Sequence, residues 1–235
     1  MTGMLASVRD LQEAALVFKG GADIIDLKEP KYGALGAVPT DVIHHVVDVL
    51  WEKCIISATI GDLPADAQAI ENKVMQIAET GVDYVKVGMF SERHIDDCLP
   101  KLIHFSNKGI AIIAVFFADM NFDSDHAIKL AKQARLKGVM MDTALKKAGN
   151  LFSHKNVLQL EYFIHRAKQN GLLTGLAGSL NISDITPLLK VNPDYIGFRT
   201  ALCANKNRES LLDKKAIINV RKRIPPPSEL SLKLA

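Results

Sequence analysis

The sequence predicts an α/β fold, a single-domain (β/α)8 TIM barrel, on three observations. Short apolar runs alternate with longer amphipathic segments along the whole chain of 235 residues, which is the pattern of a parallel sheet covered by helices. There are about eight such runs, the number of strands that closes a parallel barrel. No linker interrupts them, so we expect one barrel domain at residues 1–224. A C-terminal tail follows at residues 225–235 and opens with three prolines, which cannot continue a helix.

The predicted strands are short, rich in Val and Ile, and bounded by glycine or polar residues. In chain order they are Met4 to Val8, Ala22 to Lys28, Cys54 to Ile60, Tyr84 to Met89, Ile110 to Ala118, Gly138 to Thr143, Leu173 to Leu180 and Tyr195 to Leu202.

The predicted helices lie between the strands. Several begin at Ser, Thr, Asp or Asn, which are good N-caps, and several end at glycine. The main alternative fold is an open doubly wound sheet, but its glycine-rich turn is missing after the first strand, where Val8-Arg9-Asp10 leads directly into a helix. The predicted helices are Asp10 to Lys19, Thr40 to Lys53, Ala65 to Thr80, Ser91 to Ser106, Ser124 to Leu136, Asn156 to Asn170, Ser183 to Leu189 and Arg208 to Arg223.

Composition excludes several classes of protein. With 48% hydrophobic and 23% charged residues, the chain has enough apolar material for one large core and is not expected to be disordered. A formal charge of +3 is too small to indicate a nucleic-acid partner. The longest apolar stretch, Ile110 to Ala118, is far shorter than the roughly 20 residues of a membrane helix, and no apolar leader opens the chain. We therefore expect a cytoplasmic protein with no membrane partner.

The cysteines and histidines indicate neither a disulfide nor a metal. There are three cysteines, Cys54, Cys98 and Cys203. Their number is odd, which argues against a disulfide framework, and their wide spacing offers no pair of metal ligands. His44 and His45 are adjacent on a predicted helix and diverge by about 100°, and the other histidines are scattered without a ligand motif. We expect no metal and no cofactor.

Charged residues stand late in several of the predicted strands. Asp26 and Lys28 are two residues apart in the second strand, so both side chains point into the lumen of the barrel, where Asp26 is expected to orient Lys28. Lys86 has a similar position in the fourth strand, Asp142 stands near the end of the sixth, and Lys146 follows four residues later. Ligands and catalytic groups gather at the C-terminal ends of barrel strands. The sequence therefore predicts a site of these five residues in the barrel mouth.

Two interpretations of this group are open. The residues form either ion pairs that merely plug the mouth or an active site in which one lysine forms an imine. Lysines that lie close together in a desolvated site lose their protons more readily, and a neutral amine can attack a carbonyl carbon. Because amines and acids converge from several strands, we favour the active site. Lys28, at the end of a buried strand, is the best candidate for the imine-forming residue.

A phosphate site is predicted after the last two strands. Gly178 and Ser179 close a glycine-rich run at residues 175–179, and Gly197 precedes Arg199 in the eighth strand. Loops after the seventh and eighth strands commonly bind phosphate in barrels, through backbone N–H groups. Arg199 is predicted to add a charged fork, with a structural ion pair as its alternative role.

Four segments of the sequence resemble the (5-formylfuran-3-yl)methyl phosphate synthase family, in order and over nearly the whole chain. The first motif is long and specific, whereas the glycine motif alone is weak. The segments are residues 20–37, with the run Asp26-Leu27-Lys28-Glu29-Pro30, and residues 84–88, 141–146 and 176–179.

The resemblance implies a (β/α)8 barrel that makes the furan precursor of methanofuran. It implies that two molecules of glyceraldehyde 3-phosphate are condensed into (5-formylfuran-3-yl)methyl phosphate, with release of phosphate and water. Carried over by position, Lys28 resembles the Schiff-base lysine of the family and Lys86 its proton acceptor. Asp26, Asp142 and Lys146 match supporting polar residues.

Other functions stay open on the sequence alone. The chain can be another class I aldolase acting on a sugar phosphate, or a barrel that binds sugar phosphates or a partner protein without catalysis. Decarboxylases and epimerases with an Asp-x-Lys-x-x-Asp motif fit less well, because Lys31 stands in the place of the third acid. The expected partner is a small-molecule triose phosphate, and the sequence leaves open whether the protein is a homo-oligomer.

Overall fold

The computed structural model describes residues 1–145 and 148–225 and shows a closed barrel of parallel strands. Each strand pairs with the next along the chain, and the last pairs with the first. The predicted (β/α)8 barrel is confirmed, and each predicted strand is present with somewhat shifted ends. The strands of the barrel are β1 Gly3–Val8, β2 Ile24–Leu27, β3 Ile55–Thr59, β4 Tyr84–Met89, β5 Ile112–Phe117, β6 Gly138–Asp142, β7 Leu173–Leu176 and β8 Tyr195–Phe198.

Helices connect the strands and cover the outside of the barrel. Several begin behind a side chain that accepts hydrogen bonds from the first free N–H groups, as Asp10 does for Glu13. The α-helices in the described residues are α1 Leu11–Lys19, α2 Thr40–Leu50, α3 Ala67–Ala78, α4 Ile103–Ser106, α5 Ser124–Gln133, α6 Leu151–His154, α7 Val157–Gln169, α8 Ile185–Val191 and α9 Lys214–Arg221.

One predicted helix is divided. The segment predicted as a single helix from Ser91 to Ser106 forms a π turn at His94–Cys98 and a 3-10 turn at Leu99–Leu102 before α4 begins. Pro100 explains the break, because proline has no N–H and its ring clashes with the carbonyl of the preceding turn.

The last helix starts later than the sequence predicts. The pattern predicts a helix from Arg208 to Arg223, but α9 begins at Lys214, where Asp213 accepts a hydrogen bond from the N–H of Ala216 and caps the helix. The residues before Asp213 belong to the loop that follows β8. Arg208 therefore lies in a loop at the C-terminal end of the barrel.

Side chains fill the lumen in layers, each contributed by alternate strands. At the bottom, Gly175 makes room for an aromatic side chain, because a Cβ at this position would lie 2.3 Å from the ring of Tyr195. The strand registers and the stagger of the barrel define two polar layers above it. The middle layer contains Asp26, Lys86, Met140 and Gly197, and the top layer contains Lys28, Gly88 and Asp142.

None of the helices in the described part of the chain is both long and apolar enough to cross a membrane. The predicted boundary between barrel and tail at residue 224 stays a prediction, since residues 226–235 of the tail lie outside the described residues.

Candidate active site

The middle layer of the lumen holds a buried ion pair between β2 and β4. The Nζ of Lys86 lies 2.9 Å from Oδ1 of Asp26, and the two residues are 1% and 0% exposed. Two hydroxyls complete the surroundings of the carboxylate, because Ser57 Oγ donates to Oδ1 at 2.7 Å and Ser7 Oγ donates to Oδ2 at 3.0 Å. A buried pair is tolerated when such hydrogen bonds satisfy it. This layer is a fixed, charged floor beneath the barrel mouth.

The pKa of Asp26 lies below its usual value in spite of burial. Burial is the largest influence and by itself raises this pKa, but the attraction of Lys86 and Lys28 and the hydrogen bond from Ser57 outweigh it. The carboxylate is therefore ionised at neutral pH. The amine that donates a hydrogen bond to Asp26 is Lys86. Lys28, which Asp26 is predicted to orient, acts on the carboxylate through its charge.

The top layer brings Lys28 and Asp142 together. Lys28 follows β2 directly, and its backbone N–H donates to the carbonyl of Val8 in β1 at 2.9 Å. Its Nζ lies 3.7 Å from Oδ2 of Asp142, whose Oδ1 accepts the N–H of Thr143 at 2.7 Å. Lys146, predicted for the same site, lies outside the described residues.

Two carboxylates hold the loops that border this layer. Asp62 accepts hydrogen bonds from two successive N–H groups in the loop after β2, and Asp119, which follows β5, does the same in the loop after β6. All four distances are between 2.7 and 2.8 Å. These bonds restrain the loops on either side of the lysine and aspartate of the top layer.

A cavity that is partly open to solvent lies over the two layers on one side of the mouth. Its walls include both lumen lysines and the loops after β7 and β8. The other side of the mouth is filled by Phe90 and Phe117, whose ring centroids are 4.4 Å apart. Gly88 makes room for this stack, since a Cβ there would lie 2.4 Å from the ring of Phe90. Both lysines therefore face the open side.

The glycine-rich loop after β7 forms one wall of the cavity. Gly178 and Ser179 both line it and have positive φ angles of 119° and 49°, a region that favours glycine. A Cβ at Gly178 would lie 2.9 Å from the side chain of Thr143. Gly197 lies in the lumen floor of the same cavity. The structure thus brings these three of the four residues predicted to bind phosphate to one cavity.

The guanidinium of Arg199 is bonded entirely within the protein. It is 7% exposed and forms an ion pair with Glu13 of α1. A guanidinium has five N–H donors, and those of Arg199 bond to both oxygens of Glu13 and to the carbonyls of Ser7, Arg208 and Ser210. No donor remains for a phosphate. Of the two roles predicted for Arg199, the structure shows the structural ion pair, in which all five donors are used.

Arg208 is a residue of the cavity wall that the sequence does not reveal. It is half-buried and lines the cavity, and its Nη2 donates to the carbonyl of Gly33 in the loop after β2 at 3.0 Å. Burial lowers the pKa of its guanidinium, against the attraction of Asp142, Glu209 and Asp62. In the sequence Arg208 is the first residue of the predicted helix from Arg208 to Arg223, whose basic residues are the pattern of a solvated surface.

The fold and the site together define the class of protein. It is a (β/α)8 barrel with two lysine–aspartate pairs beneath a cavity at the C-terminal ends of the strands, which is where barrel enzymes have their active sites. Within the described ranges, no three His, Cys, Asp or Glu side chains form a group that could hold a metal ion.

The chain belongs to the 4-HFC-P synthase family, whose profile matches residues 4–221. A (5-formylfuran-3-yl)methyl phosphate synthase of Methanobrevibacter smithii is 33% identical over 88% of this chain and 92% of its own length. One of Methanococcus maripaludis is 32% identical over 87% and 91%. A relative from Methylorubrum extorquens is 36% identical over 89% and 86%. The family resemblance is confirmed, and the chain is an enzyme.

Solved structures of other barrels have the same fold. A 3-hexulose-6-phosphate synthase superposes with a TM-score of 0.66 at 17% identity and covers 94% of this chain and 100% of its own. A phosphoribosyl anthranilate isomerase of Thermotoga maritima superposes with a TM-score of 0.65 at 12% identity and covers 95% and 98%. At these identities the likeness concerns the fold alone.

Proposed function

We propose that this enzyme condenses two molecules of glyceraldehyde 3-phosphate into (5-formylfuran-3-yl)methyl phosphate, with release of phosphate and water, as a cytoplasmic step of methanofuran biosynthesis. One observation carries the proposal: two amines, Lys28 and Lys86, occupy successive layers of one lumen and face the same cavity. Membership in the family also supports this product, because the relatives are named as (5-formylfuran-3-yl)methyl phosphate synthases.

In this proposal Lys28 is the nucleophile. Its Nζ attacks the aldehyde carbon of the first triose, and loss of water from the adduct leaves a protonated imine. Lys28 is 6% exposed, so its amine is largely desolvated and yet reaches the cavity. Asp142, with Oδ2 at 3.7 Å from Nζ, stabilises the positive charge of the imine.

Lys86 moves the protons of the first triose. Its ammonium gives a proton to the hydroxyl that leaves as water, and the neutral amine then removes a proton from the carbon next to the imine. Asp26 holds Lys86 at 2.9 Å and stays ionised throughout. The electron pair left on carbon expels the phosphate of this triose or adds to the aldehyde of the second.

The remaining groups act on the second triose and on the phosphates. We assign proton transfers during addition and ring closure to Asp142 and Lys146. Backbone N–H groups at Gly178, Ser179 and Gly197 bind phosphate, which the position of their loops after β7 and β8 supports.

Borohydride trapping tests the proposal. The protein is incubated with glyceraldehyde 3-phosphate and sodium borohydride, digested, and mapped by mass spectrometry; the reduced adduct is expected on Lys28. Lys101→Ala, which removes an exposed lysine of the outer surface, is the control and keeps the label. A label on another lysine contradicts the assignment of Lys28.

A product assay separates this reaction from its alternatives. Without borohydride, the enzyme is expected to produce a furan ultraviolet absorption together with inorganic phosphate. An aldol product without phosphate release indicates a class I aldolase instead. Binding of the triose with neither adduct nor product indicates a barrel that only binds sugar phosphates.

A further inference from the structure

We propose that Arg208 binds the phosphate group of a triose phosphate in the cavity and that a buried network of Arg9, Glu13 and Arg199 positions it. The inference rests on the proposed function and adds a binding residue on the loop after β8, opposite in charge to the ligand. The chemical class that this residue selects is a phosphate monoester dianion.

The donors of Arg208 are the first observation. One of its five N–H groups bonds to the carbonyl of Gly33, and the other four have no hydrogen-bond acceptor among residues 1–145 and 148–225. The guanidinium is nevertheless half-buried in the cavity wall. By contrast, every N–H donor of Arg199, which directly follows β8, has an acceptor within the protein. A partly desolvated guanidinium with unused donors matches the oxygens of a phosphate in charge and geometry.

The loop that carries Arg208 is the second observation. It leaves the barrel after β8 and returns in an antiparallel bridge between Cys203 and Leu212, and the N–H of Ala204 donates to the carbonyl of Leu211 at 2.9 Å. The bridge closes the loop at its base. Arg208 lies on the returning limb, next to the cavity.

The network beneath this limb is the third observation. Three successive backbone carbonyls, of residues 208, 209 and 210, accept hydrogen bonds from Arg199 Nε at 2.9 Å, Arg9 Nη1 at 3.1 Å and Arg199 Nη2 at 3.1 Å. Both arginines are fixed by the single carboxylate of Glu13, with Arg9 Nη2 at 2.8 Å. Glu13 therefore holds the backbone of Arg208 without touching the ligand.

Glu13 is itself kept ionised. Burial raises the pKa of its carboxyl most strongly, but the hydrogen bonds and charges of Arg199 and Arg9 outweigh burial and lower the pKa overall. The three side chains form a charged network in the interior. In the described residues, the hydrogen bonds from this network to the loop are accepted by carbonyls of the returning limb. Such a network fixes the backbone of the limb, and the guanidinium of Arg208 lines the cavity.

The test compares a phosphorylated aldehyde with a neutral one. The concentration of glyceraldehyde 3-phosphate that gives half-maximal borohydride trapping on Lys28 is measured for wild type, Arg208→Ala and the exposed-surface control Arg93→Ala. Loss of charged hydrogen bonds is expected to raise it about 10- to 100-fold in Arg208→Ala, with an unchanged maximum, and not in Arg93→Ala. With D-glyceraldehyde, which has no phosphate, wild type and Arg208→Ala are expected to be equal.

The positioning role is tested with Glu13→Gln, which removes the charge and keeps the shape. It is expected to raise the half-saturating concentration of glyceraldehyde 3-phosphate about 10-fold but to add little in the Arg208→Ala background, since both changes remove the same interaction. If Glu13→Gln does not fold, Arg9→Ala takes its place, because it removes the bond to the carbonyl of Glu209 from a position that is only partly buried. Additive effects contradict positioning through Arg208.

The outcomes separate this inference from the proposed function. If wild type forms no adduct with glyceraldehyde 3-phosphate, the proposed function fails. If wild type forms the adduct and Arg208→Ala has the same half-saturating concentration, only the inference fails. An equal loss of trapping with D-glyceraldehyde also overturns it, because the residue then does not act on the phosphate.

Discussion

The inner and outer lysine–aspartate pairs of the lumen contain the same residue types and differ in depth and in the distance between amine and carboxylate. In the inner pair Lys86 lies 2.9 Å from Asp26, which also accepts two hydroxyls. In the outer pair Lys28 lies 3.7 Å from Asp142, one layer nearer to solvent. The inner amine is fixed by a short ionic hydrogen bond, and the outer amine stands at the end of its strand. In the proposed mechanism, one layer of the barrel separates the proton carrier from the nucleophile.

The largest expected effect is on the outer pair. Lys28→Ala removes the nucleophile, so kcat measured by phosphate release is expected to fall by a factor on the order of 10⁴ or more. Lys28→Arg is the matched control, because it keeps the charge but cannot form an imine, and it is expected to be as inactive. Substantial activity in either variant contradicts the role of Lys28.

Removing the inner amine is expected to affect both activity and stability. Lys86→Met lowers kcat about 10²- to 10⁴-fold through loss of the proton carrier. It also lowers the free energy of unfolding in urea by about 3–5 kcal/mol, because the charge of Asp26 is left buried and unpaired. The double variant Lys86→Met/Asp26→Asn is expected to regain stability but not activity. A Lys86→Met protein as stable as wild type contradicts this description of the inner pair.

Acid titration examines the inner pair alone. Because the pKa of Asp26 in the folded protein is below its ordinary value of about 4, its contribution to stability is complete above about pH 4 and is lost as the pH falls toward the folded-state pKa. The difference in free energy of unfolding between wild type and Asp26→Asn is expected to shrink below about pH 4. If the difference in free energy of unfolding stays constant between neutral and acid pH, the depressed pKa of Asp26 is contradicted.

The smallest effect concerns the hydroxyl that supports the inner carboxylate. Ser57→Ala removes a 2.7 Å hydrogen bond to Asp26 and is expected to lower the free energy of unfolding by about 1 kcal/mol. In the Asp26→Asn background the same substitution is expected to change stability less, since the two residues are in contact. Equal changes in the two backgrounds indicate that Ser57 acts independently of the carboxylate.

Much of this site was open to prediction from the sequence. Alternation within short apolar strands predicts that Asp26, Lys28 and Lys86 point into the lumen, and the last residue of β6 places Asp142 there too. The pairing was not predictable, because it depends on the stagger between β2, β3 and β4. Stagger is a property of strand ladders, and the residues of any one strand do not encode it locally.

The sequence by itself determined the barrel, its lumen charges and the family. Only the tertiary structure decided the surroundings of the two arginines near the end of the chain, Arg199 and Arg208. Arg199 has the sequence position of a phosphate fork, but its partner Glu13 is 186 residues away and binds it in the interior. Arg208 continues a basic helical pattern, but the cap at Asp213 starts the helix later and leaves Arg208 beside the cavity. The physical reason is that a guanidinium bonds to whichever acceptors folding brings near, and those acceptors lie far away in the sequence.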